Sequence, residues 1–201
     1  ALPWGDSVLL ASIEVVYGLD LQPNRRSPRS DSPVALLVSD PQRNLPHARR
    51  ATNKLLNHLQ SVQPKWSSHL LDGRRARLDK VSSLLGQSDL FHFSGHAVYR
   101  GFGGWESALQ LADTDELTIA DIFAVPLIPP HVVLLGCETA RSDQSHRSLQ
   151  LGLAQAFLFA GSAVVIAAKR PLEDSMAANI SNSLYLSSNS LQPQEHIAKL
   201  R

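Results

Sequence analysis

The chain has 201 residues, of which 43% are hydrophobic and 18% are charged, with a formal net charge of +1. This length and apolar content suit one sizeable domain with its own core. The near-zero charge and the absence of a long apolar run exclude a strongly basic nucleic-acid binder and a membrane-spanning protein, so we expect no nucleic-acid contact and no membrane.

The first half of the chain contains three apolar strand patterns separated by two helix patterns. Residues 1–33 are expected to be an N-terminal extension that ends in a Pro-, Ser- and Arg-rich flexible connector, and residues 34–201 to be the domain proper. "VALLVSD" has the short continuous apolar pattern of a strand buried on both faces. "SSHLLDG" is a plausible short second strand, and "DLFHFSG" is the third. "HARRATNKLLNHLQSV" and "RRARLDKVSSLLGQ" have the spacing of amphipathic helices.

The second half continues the same alternation. "VYRGFGGWES" is expected to be a loop, and "ALQLADTDELTI" to be two short strands around an Asp-Thr-Asp turn. Thr118 and Asp121 have the spacing of a capping box at the start of a helix. "HVVLLG" and "SAVVIAA" are predicted strands. "LQLGLAQAFLFAG" and "SMAANISNSLYLSS" are predicted helices, the first closed by Gly161.

Alternating buried strands and amphipathic helices predict an α/β fold. The expected architecture is a mostly parallel sheet with helices on both faces, which makes three α/β/α layers. Ligands of such sheets bind at the carboxyl ends of the strands. Two reactive residues, His96 and Cys137, each follow a predicted strand and a glycine there.

Cys137 and His96 together could form a nucleophilic pair. A thiolate attacks, whereas a free thiol is mostly protonated at neutral pH. A neighbouring histidine can take the proton, or hold it and stabilise the thiolate as an ion pair, and can then protonate the leaving amine. Backbone N–H groups near the two glycines could bind the oxyanion. Cys137 is the only cysteine, which rules out an internal disulfide and a multi-cysteine zinc site. We therefore expect no metal and no cofactor.

Several motifs in the same order resemble the CHAT domain, a caspase-like peptidase domain often attached to TPR repeats in bacteria. The motifs are "VSDPQRNLPHARRA", "LFHFSGHA", "SALQLAD", "ELTIADI", "HVVLLGCETA" and "LGLAQAFLFAGSAVVIAA". Separases and caspases share this arrangement of a histidine followed by a cysteine. The spacing here is 41 residues (137 − 96), against about 50 in the caspase pattern.

The resemblance implies a caspase-like three-layer fold and a cysteine endopeptidase that cleaves protein substrates. It implies His96 as the acid and base, Cys137 as the nucleophile, and the backbone of Ala97 and Cys137 as the oxyanion hole. It also implies control by a flanking TPR or sensor domain and a cytoplasmic location. The abrupt ends of the chain suggest a fragment of a larger protein.

Two departures from the family pattern leave an alternative open. Ala97 stands where the family usually has glycine, and alanine would be strained there if the backbone needed a positive φ. Lys169 and Arg170 stand where a tryptophan is common. The alternative is therefore a catalytically impaired pseudo-protease that serves as an interaction or scaffold module.

Three further residues have two interpretations each. Asp174 could bind a basic substrate side chain or cap the following helix, and we favour the cap. Glu138 could line the substrate cleft or simply lie on the surface. His92 could form a metal pair with His96, but its place in an apolar strand favours a structural, buried histidine.

Overall fold

The computed structural model describes residues 3–4, 7–8, 13–15, 32–62, 65–136, 152–168 and 171–186. Its main feature is a six-stranded sheet with the order β3-β11-β10-β6-β4-β5. The strands are β1 (Pro3–Trp4), β2 (Ser7–Val8), β3 (Ile13–Val15), β4 (Val34–Ser39), β5 (Ser67–Asp72), β6 (Leu90–Ser94), β7 (Ala97–Val98), β8 (Ala108–Gln110), β9 (Glu116–Thr118), β10 (His131–Leu134) and β11 (Val164–Ala168).

Five strands of this sheet run parallel, and the edge strand β3 pairs antiparallel with β11. The short apolar runs therefore form the buried parallel strands that the sequence predicts. β1 and β2 pair with each other, and β7, β8 and β9 form a separate three-stranded antiparallel sheet.

Helices cover both faces of the central sheet. They are α1 (Pro46–Val62), α2 (Leu78–Leu85), α3 (Ile119–Ala124), α4 (Leu153–Phe159) and α5 (Asp174–Leu186). One hydrophobic core contains buried side chains of α2, α3, α4 and the small sheet, and the other contains those of α1 and α5. This is the predicted three-layer α/β/α arrangement.

Side-chain alternation along each strand divides the residues between the two cores. In β4, Leu36 and Val38 belong to the first core, whereas Ala35 and Leu37 belong to the second. The inner parallel strands are thus buried on both faces, which explains why their sequences show little polar alternation, whereas the edge strand β5 is partly exposed.

The boundaries of some elements differ from the sequence prediction. The predicted helix at residues 74–87 begins only at Leu78, because Gly73–Arg75 form a 3-10 turn in which Gly73 has a φ of 49°. The predicted loop at residues 98–107 begins inside β7. The capping box of α3 is confirmed: the Thr118 side chain accepts from the backbone N–H of Asp121, and the Asp121 carboxylate accepts from that of Thr118.

Within the part of the chain that the structure describes, none of the helices has the length and apolar character needed to cross a membrane.

Candidate functional site

Three neighbouring strands end at one edge of the central sheet. β6 lies between β4 and β10 and runs parallel to both, so the loops that follow these three strands meet at the same edge. His96 follows β6 by two residues. The loop after β4 contains Asn44, and β10 leads through Leu135 to Gly136, the last described residue before Cys137.

The strand register aligns β6 with β10 up to their carboxyl ends. Phe93 pairs with Leu134, and the backbone N–H of Leu135 donates to the Phe93 carbonyl at 2.8 Å. His96 lies three residues beyond Phe93, and Cys137 lies three residues beyond Leu134 in the sequence. Cys137 and Glu138 lie outside the described residues, so their predicted roles stay predictions.

The His96 side chain is partly exposed and makes a hydrogen bond across the sheet edge. Its Nε2 atom lies 2.9 Å from Asn44 Oδ1. Its backbone carbonyl accepts a hydrogen bond from the N–H of Gln110 in β8 at 2.9 Å. Main chain and side chain of His96 are therefore held by two different elements.

Asn44 belongs to a tight turn that Asp40 organises. Oδ1 of Asp40 accepts from the backbone N–H groups of Asn44 and Leu45 at 2.8 and 2.9 Å. Its Oδ2 accepts from Arg49 Nη2 on α1 at 2.7 Å. The N–H of Asp40 donates to the Ser94 carbonyl at 2.7 Å, which ties the turn to the end of β6. The Asp40 side chain is only 1% exposed.

The backbone next to His96 does not have the positive φ that would have strained an alanine there. Ala97 lies in β7 opposite Leu109. Among the described residues other than glycine, the positive-φ positions are Asp40, Arg43 and Asp113, so Ala97 is free of that strain. Since the His96 carbonyl bonds Gln110, the next pair, Ala97 and Leu109, is a non-hydrogen-bonded one, which directs the Ala97 N–H away from β8.

Gly95 is required by close packing. A Cβ atom at this position would lie 2.7 Å from Cζ of Phe93 and 2.9 Å from Cδ of Pro41. The glycine therefore lets the loop after β4 and the Phe93 ring approach the chain directly before His96.

Asp174 acts as a helix cap, although for a different helix than the one expected. Its Oδ2 and Oδ1 atoms accept from the N–H groups of His47 and Ala48, both at 2.8 Å. These residues form the first turn of α1, which has no acidic residue of its own there. Asp174 begins α5, so it joins the two helices that cover one face of the sheet.

His92 is a structural residue, as its position in β6 predicts. It is fully buried, with Nδ1 at 3.1 Å from the Tyr185 hydroxyl and Nε2 at 3.0 Å from Ser94 Oγ. Burial penalises the charged imidazolium and lowers the pKa of His92 to about 3. Among the described residues, no group of three His, Cys, Asp or Glu side chains could hold a metal ion.

Sequence reasoning missed Asn44 and Asp40. The signal was present in "SDPQRNLP": a turn-forming Asp-Pro directly after a buried strand, with proline at the first position of the next helix. What the sequence lacks is any local sign that this turn reaches His96, which lies 52 residues further along.

The strand order and the helices on both faces of the sheet define a three-layer α/β domain, and solved structures with a similar fold are known. Two crystal structures of the Saccharomyces cerevisiae separase–securin complex, at 2.6 and 3.0 Å resolution, each match with a TM-score of 0.55 and 20% sequence identity. Each match covers 78% of this chain and 9% of the chain it matches. At this identity the likeness concerns the fold.

The family follows from the sequence match. A family model of the CHAT domain matches residues 3–198, so the chain belongs to the CHAT domain family. A search of curated proteins gives no match. Family and fold together make this a caspase-like, protease-related domain. The family match begins at residue 3, within the segment that the sequence analysis predicts to be an N-terminal extension.

Proposed function

We propose that this domain is a cysteine endopeptidase in which His96 and Cys137 form the catalytic pair. The observation that carries the proposal is the alignment of β6 with β10, since His96 and Cys137 follow paired strand residues by the same number of positions. Membership of the CHAT family supports the same pair. A rigid parallel sheet is a suitable support for two reacting groups.

In the proposed reaction, His96 takes the thiol proton and the Cys137 sulfur attacks the carbonyl carbon of a peptide bond. The tetrahedral intermediate collapses, the C–N bond breaks, and the imidazolium gives its proton to the leaving amine. The acyl group then forms a thioester with Cys137. Water, deprotonated by His96, attacks this thioester and releases the carboxylic acid product and the thiol.

The oxyanion of each tetrahedral intermediate needs backbone donors. We assign this role to the N–H groups of Ala97 and Cys137. The extended backbone of Ala97 supports the assignment, because its N–H is not used for pairing with β8. The concern that alanine would distort the site does not apply to this backbone, which weakens the argument for an impaired pseudo-protease.

We propose a protein as the substrate and a TPR or other sensor domain as the regulator, in a cytoplasmic setting. Glu138 remains a candidate for the substrate cleft. Asp174 is a weaker candidate for reading a basic substrate side chain, since both of its carboxylate oxygens accept hydrogen bonds from α1.

The first test measures the reactivity of Cys137 itself. Iodoacetamide should alkylate this only cysteine of the chain faster than it alkylates a small model thiol near neutral pH, and H96A should slow the reaction. We expect a loss of roughly tenfold, because a thiol without its base reacts through a small thiolate fraction. H69Q, which replaces an exposed histidine on β5, is the matched control. Equal rates in wild type and H96A would refute the pair.

The second test measures proteolysis. The full-length protein with its regulatory partner should cleave an unfolded protein such as β-casein, and C137A should abolish the cleavage without changing the circular dichroism spectrum. Loss of cleavage in C137A and H96A together with normal cleavage in H69Q would support the proposal. A folded wild type that cleaves nothing in the presence of its partner would instead favour the scaffold alternative.

A further inference from the structure

The loop after β4 supplies a residue that the proposed catalytic pair does not include. Asn44 contacts His96 from the side of β4, whereas β10, the strand that precedes Cys137 in the sequence, pairs with the other side of β6. We propose that Asn44 is a positioning residue that fixes the orientation and the tautomer of His96. This inference rests on the function proposed above, because it assigns Asn44 a purpose in the reaction of His96 with Cys137.

The tautomer follows from the chemistry of the contact. An amide oxygen can only accept a hydrogen bond, so the Nε2 atom that lies 2.9 Å from Asn44 Oδ1 must carry the hydrogen. In the neutral ring this leaves the lone pair on Nδ1. Nδ1 is then the atom that can accept the thiol proton. Without Asn44, both tautomers and several ring orientations would be populated, and only part of the molecules would be ready to react.

The backbone of Asn44 is held firmly enough to orient another residue. Its N–H donates to the buried Asp40 carboxylate, which also binds Leu45 and Arg49. Asp40 and Arg43 both adopt positive φ values, of 45° and 60°. Such backbone conformations cost free energy in residues other than glycine and persist only where surrounding contacts impose them. The contacts of Asp40 impose them on this turn.

The Asn44 side chain itself is exposed, so it contributes little to the stability of the fold. Its removal leaves the N–H donors of the turn in place, because these belong to the backbone. A substitution at this position can therefore separate an effect on His96 from an effect on folding.

The direct test observes the His96 ring by ¹⁵N NMR of the imidazole nitrogens, with the His96 signals assigned from their loss in H96N. In wild type, the neutral ring should show the Nε2–H tautomer. N44A should give a mixture of both tautomers, whereas N44D, which keeps an acceptor at the same place, should retain the Nε2–H form. N53A removes an exposed asparagine from the middle of α1 and should match wild type. An unchanged tautomer in N44A would overturn the inference.

The functional test uses alkylation of Cys137 by iodoacetamide in the same variants. N44A should slow the reaction roughly tenfold, N44D should restore most of the rate, and N53A should leave it unchanged. If H96A slows alkylation but N44A does not, the positioning role is wrong while the catalytic pair stands. If H96A itself has no effect, the catalytic pair and the positioning role both fail.

Discussion

Single residues at the sheet edge show how little space the site leaves for substitution. Gly95 admits the Phe93 ring and Pro41 at distances that a side chain would not permit. The following His96 is held through its carbonyl by Gln110 and through its ring by Asn44. The position after it tolerates alanine, because Ala97 has the extended backbone of a strand residue. The glycine that this site requires therefore precedes the histidine.

Two carboxylates fix the start of α1, and each belongs to a different part of the chain. Asp40, at the end of β4, binds the N–H groups of Asn44 and Leu45, and Asp174, at the start of α5, binds those of His47 and Ala48. Unpaired N–H groups at a helix start need such acceptors, and negative charge there also interacts favourably with the helix dipole. The start of α1 thus anchors both the turn of Asn44 and the helix α5.

The Asp174 cap gives a prediction about this pair of helices. D174A should lower the free energy of unfolding by about 1 kcal/mol, the usual cost of removing a helix cap, as measured by urea denaturation. D174N should lose less, because its amide oxygen can still accept one of the two hydrogen bonds. E173A, at the exposed neighbouring residue, is the control.

The same variants separate the two interpretations of Asp174. A cap changes stability and leaves the alkylation rate of Cys137 and the choice of cleavage sites unaltered in the folded protein. If D174A is as stable as E173A and instead changes which peptide bonds are cleaved, Asp174 binds a substrate side chain and its hydrogen bonds to α1 do not contribute measurably to stability.

At the scale of the whole molecule, the main strands and helices can be predicted from local sequence, because the buried apolar residues of each element recur at a characteristic spacing. "VALLVSD" and "HVVLLG" are apolar apart from their terminal residues, which suits strands covered on both faces. β3 and β7 could not be predicted in this way, because they are only two or three residues long and form by pairing with strands elsewhere in the chain. The sheet-edge location of His96 follows from the strand pattern, whereas its contact with Asn44 depends on a tertiary turn.

The second core contains a polar contact that the apolar pattern does not reveal. His92 belongs to β6 in the middle of the sheet, and its ring meets Tyr185 of α5 with centroids 5.4 Å apart. The Tyr185 hydroxyl and Ser94 Oγ satisfy both ring nitrogens. Because burial penalises the charged imidazolium, the neutral ring is the form that this place favours. Burial likewise raises the pKa of Tyr185, which keeps its hydroxyl neutral.

This buried histidine makes the stability of the whole domain depend on pH. The pKa of His92 is about 3 in the folded protein, against an ordinary value of 6.5. Between these values the unfolded chain binds a proton that the folded protein does not. The contribution of His92 to the free energy of unfolding should therefore be fully present above pH 6.5. Below pH 6.5 it should fall by about 1.4 kcal/mol per pH unit. Urea denaturation across this range, in wild type and in H92Q, measures the slope that His92 contributes.

The comparison between variants isolates His92 from other groups that titrate in the same range. Burial also lowers the pKa of His131, and Asp89 opposes this shift, but both residues are present in wild type and in H92Q and cancel in the difference. H69Q replaces an exposed histidine and should keep the wild-type slope. H92Q should be less stable than wild type at pH 7, because it disturbs the contacts with Tyr185 and Ser94, yet it should lose stability more slowly as the pH falls. Parallel slopes in wild type and H92Q would mean that the folded protein accommodates a charged ring at His92, which is incompatible with a closed core between the sheet and α5.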